Sequence, residues 1–591
     1  MSTSSGRALA NGVASGPRAA ALAQLASTHW QLVAVLGAFI ASAFVVPTLA
    51  PVAISDDWVY IRSVEILLAE GRFTILTISS SNLLFQVVWG ALFGLVFGPS
   101  LGVLRLSMVV LWFLSAFACY GLLWELTRDR ARSALGTAVY LFNPLGYSLA
   151  FTFMTDAPFL SMSVIALYGY VRGVGTGEST RWTIAGSAAA ACAILVRQPG
   201  ALIPLAVVAS LVLAGHIRPN LRGLRTILEV AAVPALVYIA FYIWLRFVHG
   251  EPVVHQQMRG LILAGGWSEV RLHALRLFTV EAIYLGLFLL PIAASAIVGL
   301  RRVAGGLSSR GWAWFATWQA FVVAGVAAYW AIGARMPFIP HFLSPAGIGP
   351  NDLMRARAAL YTGTTRDVLT LLCTAAALII GLVVIAKLVR WRQHPTPDRR
   401  AVSMLLGLLV INSIGALIVS SQFRHWQIEG QPAPSMDRYL LPLLPPAIAL
   451  VLWALREVRF SFNLGWTVAL FLAMFSVAGT RDNIVFHQAQ WELAREANAA
   501  GIPDLQLDAG ASWDGYFLGE ASHEKLGYVP RPGYWWLSLY APIIDPRYAI
   551  STEPVPPRYT HVVIEKKYDL WLDDRPARLL LLRRDDVPGP P

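Results

Sequence analysis

The stretch Ile54-Ser55-Asp56-Asp57-Trp58-Val59-Tyr60 places two adjacent carboxylates just past the first long apolar run of the chain. Carboxylates at a membrane boundary are costly unless they are solvated, paired or used. An ionised carboxylate beside a dry cavity is suited to take a proton from a hydroxyl group. A third acid, Asp156, stands in Thr155-Asp156-Ala157-Pro158, where a turn meets a later apolar run. Each also fits an ordinary role. Asp56 after Ser55 suits an N-cap, Asp57 a first-turn acid, and Asp156 a helix start with Pro two residues on. The decisive question is whether the three emerge on one side of a membrane.

Other side chains offer less. His249 and His255 are six residues apart, His341 and His425 stand in separate stretches, and no His-x-x-x-His occurs. Nothing matches a zinc template. Cys119, Cys192 and Cys373 all lie in apolar runs and form no disulfide framework.

The elements that must position these acids are apolar. Of 591 residues, 56% are hydrophobic, above the roughly 45–50% usual in soluble domains. Runs of about 17–25 apolar residues recur from residue 31 to 480, each long enough to cross a bilayer as a helix. The net charge of +12 does not mark a nucleic-acid binder, because the arginines sit in short loops between apolar runs, as the positive-inside rule expects. The fold class is therefore a polytopic α-helical membrane protein.

Sidedness turns on Leu83–Phe97, an apolar run too short for an ordinary span. If it lies in the interface or re-enters, four basic clusters share the cytoplasmic side: Arg128/Arg130/Arg132, Arg218/Arg222/Arg225, Arg301/Arg302/Arg310 and Lys387/Arg390/Arg392/Arg399/Arg400. That choice gives about thirteen spans, near 31–52, 101–125, 133–150, 157–172, 182–197, 199–215, 226–248, 279–300, 311–333, 366–390, 402–420, 439–456 and 463–480. Asp56, Asp57 and Asp156 then all face outward. So do stretches with Arg259 and Arg276, with Arg335, and with Arg438 and Tyr439.

Three units are expected: a disordered cytoplasmic tail over 1–28, a membrane domain over 29–480, and an extracytoplasmic α/β domain over 481–591. Within the long first outer loop, 53–100, Ile61, Val64, Leu67 and Leu68 share a helical face, which predicts an interfacial helix with Asp56 and Asp57 at its N-terminus. There the helix dipole favours ionised carboxylates. In the tail, 484–500 reads as a separate helix; Leu505–Leu507, Thr560–Ile564 and Ala577–Leu582 read as strands. Asp508-Ala509-Gly510-Ala511-Ser512-Trp513-Asp514-Gly515-Tyr516 reads as a Gly-rich turn or a sugar-stacking loop.

Four motifs taken together resemble the GT-C superfamily of lipid-phosphosugar-dependent glycosyltransferases. The likeness is to the branch of protein O-mannosyltransferases and the lipid A aminoarabinose transferase. The motifs are Asp56-Asp57-Trp58-Val59-Tyr60; Asn143-Pro144 followed by Thr155-Asp156-Ala157-Pro158-Phe159; Leu195-Val196-Arg197-Gln198-Pro199-Gly200; and Asp437-Arg438-Tyr439-Leu440-Leu441-Pro442. Many members carry Asp-Glu where this chain has Asp56-Asp57. The resemblance implies a GT-C fold and transfer of a sugar from a polyprenyl-phosphate donor to an acceptor hydroxyl on a glycan, lipid or protein. Asp56 would be the base, with Asp57 and Asp156 as companion acids. Arg259, Arg276, Arg335 and Arg438 would be the candidate cations for the leaving phosphate, and Tyr60 and Tyr439 further substrate contacts. It implies no cofactor, and partners limited to the lipid donor, the acceptor and membrane lipids, in the inner membrane of a bacterium. A transporter of lipid-linked sugars is the competing reading, but the halves show no repeat and midspan acids are scarce. A non-catalytic partner of cell-envelope assembly is the other.

Overall fold

The computed structural model describes residues 27–256, 267–350, 358–393, 398–420, 427–428, 431–432, 435–525 and 535–588. Nearly all of the expected N-terminal tail, and Arg259, lie outside the described residues. Among the described residues, seven helices are long and apolar enough to cross a membrane: Leu101–Thr127, Asp156–Gly175, Leu221–His249, Gly363–Arg392, Arg399–Ser420, Asp437–Leu455 and Phe462–Ala499. A pair bent by 70°, Arg271–Phe288 with Leu290–Gly305, makes an eighth if counted as one span. Trp30–Val45, Leu84–Phe97, Thr180–Val196 and Gln198–Leu213 are shorter apolar helices among them.

The elements around the acids are α1 (Trp30–Val45), α2 (Trp58–Glu70), α3 (Leu84–Phe97), α4 (Leu101–Thr127), α5 (Arg130–Leu141), α6 (Pro144–Ala150), α7 (Asp156–Tyr170, continued by a π turn over Val171–Gly175), α8 (Thr180–Val196), α9 (Leu202–Leu213) and α10 (Leu221–Trp244). Farther along come α11 (Arg399–Ser420), α12 (Leu444–Leu455) and α13 (Phe462–Ala499). The span expected over 133–150 is two helices. Pro144 opens α6, and the Asn143 side chain accepts from the Leu145 and Gly146 N–H groups at 3.1 and 3.0 Å. That is the pairing of an N-cap with proline at N1, and it stops α5 before the turn.

The segment over 83–97 is α3, 14 residues long, about 21 Å at 1.5 Å per residue. It packs against α2, α4 and α8. Its entry is pinned by the N–H groups of Asn82 and Leu83, both donating to the Val196 carbonyl at 3.1 Å.

The expected break near residue 480 is absent. One helix, α13, runs 38 residues through it. Arg481 and Asp482 do not end the helix; they hold the tail onto it. The buried Asp482 carboxylate accepts from the Trp571 N–H at 2.8 Å and from the Leu572 N–H at 2.9 Å. Lys566 reaches Glu492 and Glu496 on the same helix at 3.1 and 2.7 Å.

The tail sheet has four strands, β1 (Leu507–Asp508), β2 (Tyr548–Ser551), β3 (Tyr559–Tyr568) and β4 (Ala577–Arg584), in spatial order β1-β2-β4-β3. β1 and β2 are parallel, and the other pairs antiparallel. β2 lies inside 529–558, a stretch rich in Pro, Trp and Tyr. Past β1 the chain does not form the expected loop; it forms helix α14 (Ala511–Lys525). Asp514 accepts from the Ala509 N–H at 2.9 Å and ties the entry to the helix.

α14 lies across α2. Tyr516 donates to Glu65 at 2.8 Å, and Arg62 pairs with Glu520 at 2.9 Å. Gly515 and Gly519 leave room for the Trp58 indole, which a Cβ at either position would overlap. The helix expected at the membrane surface thus carries the tail helix α14 on it.

Candidate active site

Asp56 is held by a bent, buried loop. The Arg105 side chain, buried in α4, donates to the carbonyls of Thr48, Ala50 and Val52 at 2.9, 3.0 and 2.5 Å. These three carbonyls belong to the segment that leaves α1, so one guanidinium satisfies three of its acceptors in a dry setting. Ser55 then takes a left-handed backbone with φ of 60°. For a non-glycine residue this conformation costs free energy and persists only when its surroundings impose it. Ser55 Oγ donates to Asp56 Oδ1 at 2.8 Å.

The two adjacent acids diverge. Asp57 turns inward, 1% exposed. It makes no side-chain cap to α2. Its carboxylate accepts from the Ile54 N–H at 2.8 Å and from the Phe153 N–H at 3.1 Å. It therefore fastens the loop carrying Asp56 to the turn carrying Asp156, and it does not line the cavity. Burial pushes its carboxyl up to about 7, against the pull of Arg105 and of the two N–H donors.

Asp56 and Asp156 instead meet two guanidinium groups. Asp156, 4% exposed at the start of α7, accepts from Arg197 Nη1 at 2.5 Å. Its second oxygen lies 3.8 Å from Arg438 Nη1, and Arg438 Nη1 lies 4.0 Å from Asp56 Oδ1. Arg197 ends α8, and Arg438 stands in the 3-10 turn Asp437–Leu443 that leads into α12. Arg438 Nε is buried without a hydrogen-bond partner among the described residues. The Tyr439 ring packs 5.2 Å from Arg197 and 5.7 Å from Arg438. Two carboxylates and two guanidiniums thus balance in charge, and only the Arg197–Asp156 contact is a hydrogen bond.

Asp56, the two guanidiniums and Tyr439 line a cavity of about 80 Å³, enough for several waters, with Asp156 behind the arginines. Its walls include Asp56, Tyr60, Thr155, Arg197, Arg438 and Tyr439, and the tail residues Leu539 and Tyr540 close it. Burial, then the neighbouring Asp56, raises the Tyr60 hydroxyl well above the ordinary tyrosine value, so it stays a protonated donor. Asp56 is 21% exposed and is the carboxylate open to this space.

Of the residues read from the sequence, the structure brings together Asp56, Asp156, Tyr60, Arg438 and Tyr439, with Asp57 behind them. It does not bring Arg335 or Arg276 to the cavity. Arg335 pairs with Asp367 at 2.5 Å and stacks 3.6 Å over Trp330. Arg276 stands in the helix Trp267–Phe288. Arg197 joins Asp56, Asp156 and Arg438 at the site, although its motif alone gives it no role. A charge in Val196-Arg197-Gln198-Pro199, between two apolar runs, needs a partner, and that was the available signal. Among the described residues no group of three His, Cys, Asp or Glu side chains could hold a metal ion. All three cysteines are free.

A search of curated proteins found no match. Among solved structures, the chain is similar to ArnT from Cupriavidus metallidurans bound to undecaprenyl phosphate, at 15% identity, 95% of this chain, 99% of that one and TM-score 0.42. It is also similar to the archaeal oligosaccharyltransferase AglB from Archaeoglobus fulgidus in complex with an inhibitory peptide and a dolichol-phosphate, at 14% identity, 81% of this chain, 59% of that one and TM-score 0.43. Residues 88–244 match the family model described as dolichyl-phosphate-mannose-protein mannosyltransferase. The chain's similarity to the GT-C glycosyltransferases rests on that stretch, which carries both Asp156 and Arg197.

Proposed function

We propose that the protein is a membrane glycosyltransferase that moves a sugar from a polyprenyl-phosphate donor to an acceptor hydroxyl at the outer face of a bacterial inner membrane. The observation that carries this reading is Arg438, a buried guanidinium 4.0 Å from Asp56 and 3.8 Å from Asp156, with its Nε unpartnered among the described residues. A cation that faces two acids without hydrogen-bonding either retains donors for a phosphate.

The reaction follows from these groups. Asp56 accepts the proton of the acceptor hydroxyl as its oxygen attacks the anomeric carbon. The bond from that carbon to the phosphate oxygen breaks, and its electron pair leaves with the phosphate. Arg438 neutralises the charge that gathers there. A single displacement inverts the anomeric centre. Asp156 positions Arg438 and Arg197, and Asp57 positions the loop of Asp56. Tyr60 and Tyr439 contact substrate. In this reading arginine supplies the cation, and no metal ion is invoked. The cavity is smaller than the roughly 300–1,000 Å³ of common ligand pockets, so donor entry displaces Leu539 and Tyr540.

The test supplies purified full-length protein with a radiolabelled polyprenyl-phosphate sugar and a membrane extract as acceptor. Label should leave the lipid and appear on an acceptor, and Arg438→Gln should lose donor binding. Label that stays on the lipid but crosses the bilayer of a proteoliposome would point to the transporter reading instead.

A further inference from the structure

A second cavity, of about 650 Å³, opens at the far end of the helices that build the site. α7 begins at Asp156, and its π-turn extension ends at Gly175; α8 runs back from Thr180 to Val196, next to Arg197. Gly173, Val174 and Thr180 line this cavity. The 20 residues of Asp156–Gly175 span about 30 Å at 1.5 Å per residue, a bilayer's hydrocarbon thickness. The two cavities therefore lie at opposite membrane faces.

The lining of the second is cationic. Arg218, Arg222, Arg225 and Arg400 border it, against the carboxylates of Glu178 and Glu229. Glu178 takes Arg222 at 2.6 Å and Arg400 at 3.2 Å, and Glu229 takes Arg225 at 2.8 Å. Arg218 has no ion pair among the described residues, so two positive charges remain unmatched. His216 Nε2 is buried at the cavity wall without a hydrogen-bond partner among the described residues.

Leu221, Leu224 and Leu228 of α10 are exposed, but at spacings of three and four they share a face of the helix turned away from the one whose Arg222, Arg225, Thr226 and Glu229 line the cavity. The lining is polar and cationic, and the group it can take is a phosphate, whether free or on a lipid headgroup at that membrane face.

We infer that this cavity is a binding site for a phosphate group, carried on an anionic lipid headgroup or free, at the membrane face opposite Asp56. The site is separate from the proposed transfer chemistry and stands whether or not that reading does.

The test titrates full-length protein in neutral detergent with short-chain phosphatidylglycerol, short-chain phosphatidylcholine or inorganic phosphate. Binding is read by native mass spectrometry and by the thermal midpoint. Phosphatidylglycerol should bind saturably and phosphatidylcholine should not. Arg218→Gln/Arg400→Gln should weaken phosphatidylglycerol about 25-fold, at about fivefold for each charge near an anionic lipid. Arg301→Gln/Arg302→Gln, two exposed cations outside the cavity, should leave it unchanged. Should the double variant not fold, Arg218→Gln alone breaks no ion pair and should cost about fivefold. Undiminished binding in the Arg218 variants, or an equal loss in the control pair, overturns the site. Saturable binding of inorganic phosphate that competes with phosphatidylglycerol assigns the site to free phosphate, binding of phosphatidylglycerol alone assigns it to a lipid headgroup, and saturable binding of neither overturns it.

Discussion

Replacing Arg197 with methionine removes the hydrogen-bonded partner of Asp156 and leaves that carboxylate 4% exposed. Breaking a buried pair from one side costs about 3–5 kcal/mol, because the remaining charge stays desolvated. Here Arg438 remains 3.8 Å from the second oxygen of Asp156. Unit charges about 4 Å apart attract by about 4 kcal/mol at an effective dielectric of about 20. Part of the loss is therefore recovered as Arg438 draws toward Asp156, and we expect about 3 kcal/mol, the low end of the range. That movement takes Arg438 away from Asp56, so activity should fall further than stability. Arg197→Met/Asp156→Leu removes both charges and should regain most of the lost stability without regaining activity. Arg197→Lys should recover only part of either, since a point charge does not reproduce the guanidinium fork. The assay is denaturant titration of purified protein in mixed micelles, with donor turnover followed on the same samples. A cost of under about 1 kcal/mol for Arg197→Met, the value of an exposed pair, would refute the reasoning. It would mean that the site is wet and Asp156 is not held by Arg197.

Other outcomes follow from the supports of the site. Gly519→Ala overlaps the Trp58 indole and should cost about 1–3 kcal/mol as an overpacked contact. Because Trp58 follows Asp57, it should also lower turnover, which Trp58→Phe in the same background should partly restore. Arg105→Leu leaves the carbonyls of Thr48 and Val52 without their donor, while Ala50 keeps the Val52 N–H; each buried orphan costs about 1–3 kcal/mol. Limited proteolysis should then cut between α1 and α2. Asp57 has its carboxyl raised from 3.8 to about 7 in the folded protein. Its contribution is complete below pH 4 and is lost as pH rises through about 7. The thermal midpoint of the parent should therefore fall over that window relative to Asp57→Asn, and parallel pH curves for the two would contradict it.

Much of this site could be read from residue types because the membrane makes charge expensive. Asp56, Asp156 and Arg438 stood out as ionisable groups at the ends of apolar runs, and the structure gathers all three. The divergence of Asp56 from Asp57 was not legible. It depends on the left-handed Ser55 and on the Phe153 N–H, 96 residues away. The role of Arg197 is not legible in its Gln-Pro-Gly context, which reads as a break between spans, because its partner is set only by the packing of α7 on α8. Arg335 looked equally available, yet Asp367 and Trp330 engage it locally. In the tail, strong strand patterns marked β3 and β4. The short β2 has no period to show, and helix α14 is favoured by packing on Trp58 over the turn that its glycines suggest. The pair Arg481-Asp482 looked like the end of a span. It instead anchors the tail to a continuous helix through backbone groups about 90 residues on.

The central claim is that Asp56 takes the acceptor's proton in a cavity where Arg438 receives the phosphate. Asp56→Asn keeps the shape and the Ser55 hydrogen bond while removing the base. Its direct test is single-turnover transfer from a radiolabelled polyprenyl-phosphate sugar, with donor affinity measured on the same protein. Transfer should slow by about 10²–10⁴-fold, with donor binding retained and the slow rate insensitive to pH across the carboxylate range. Transfer by Asp56→Asn within a few fold of the parent would contradict the account.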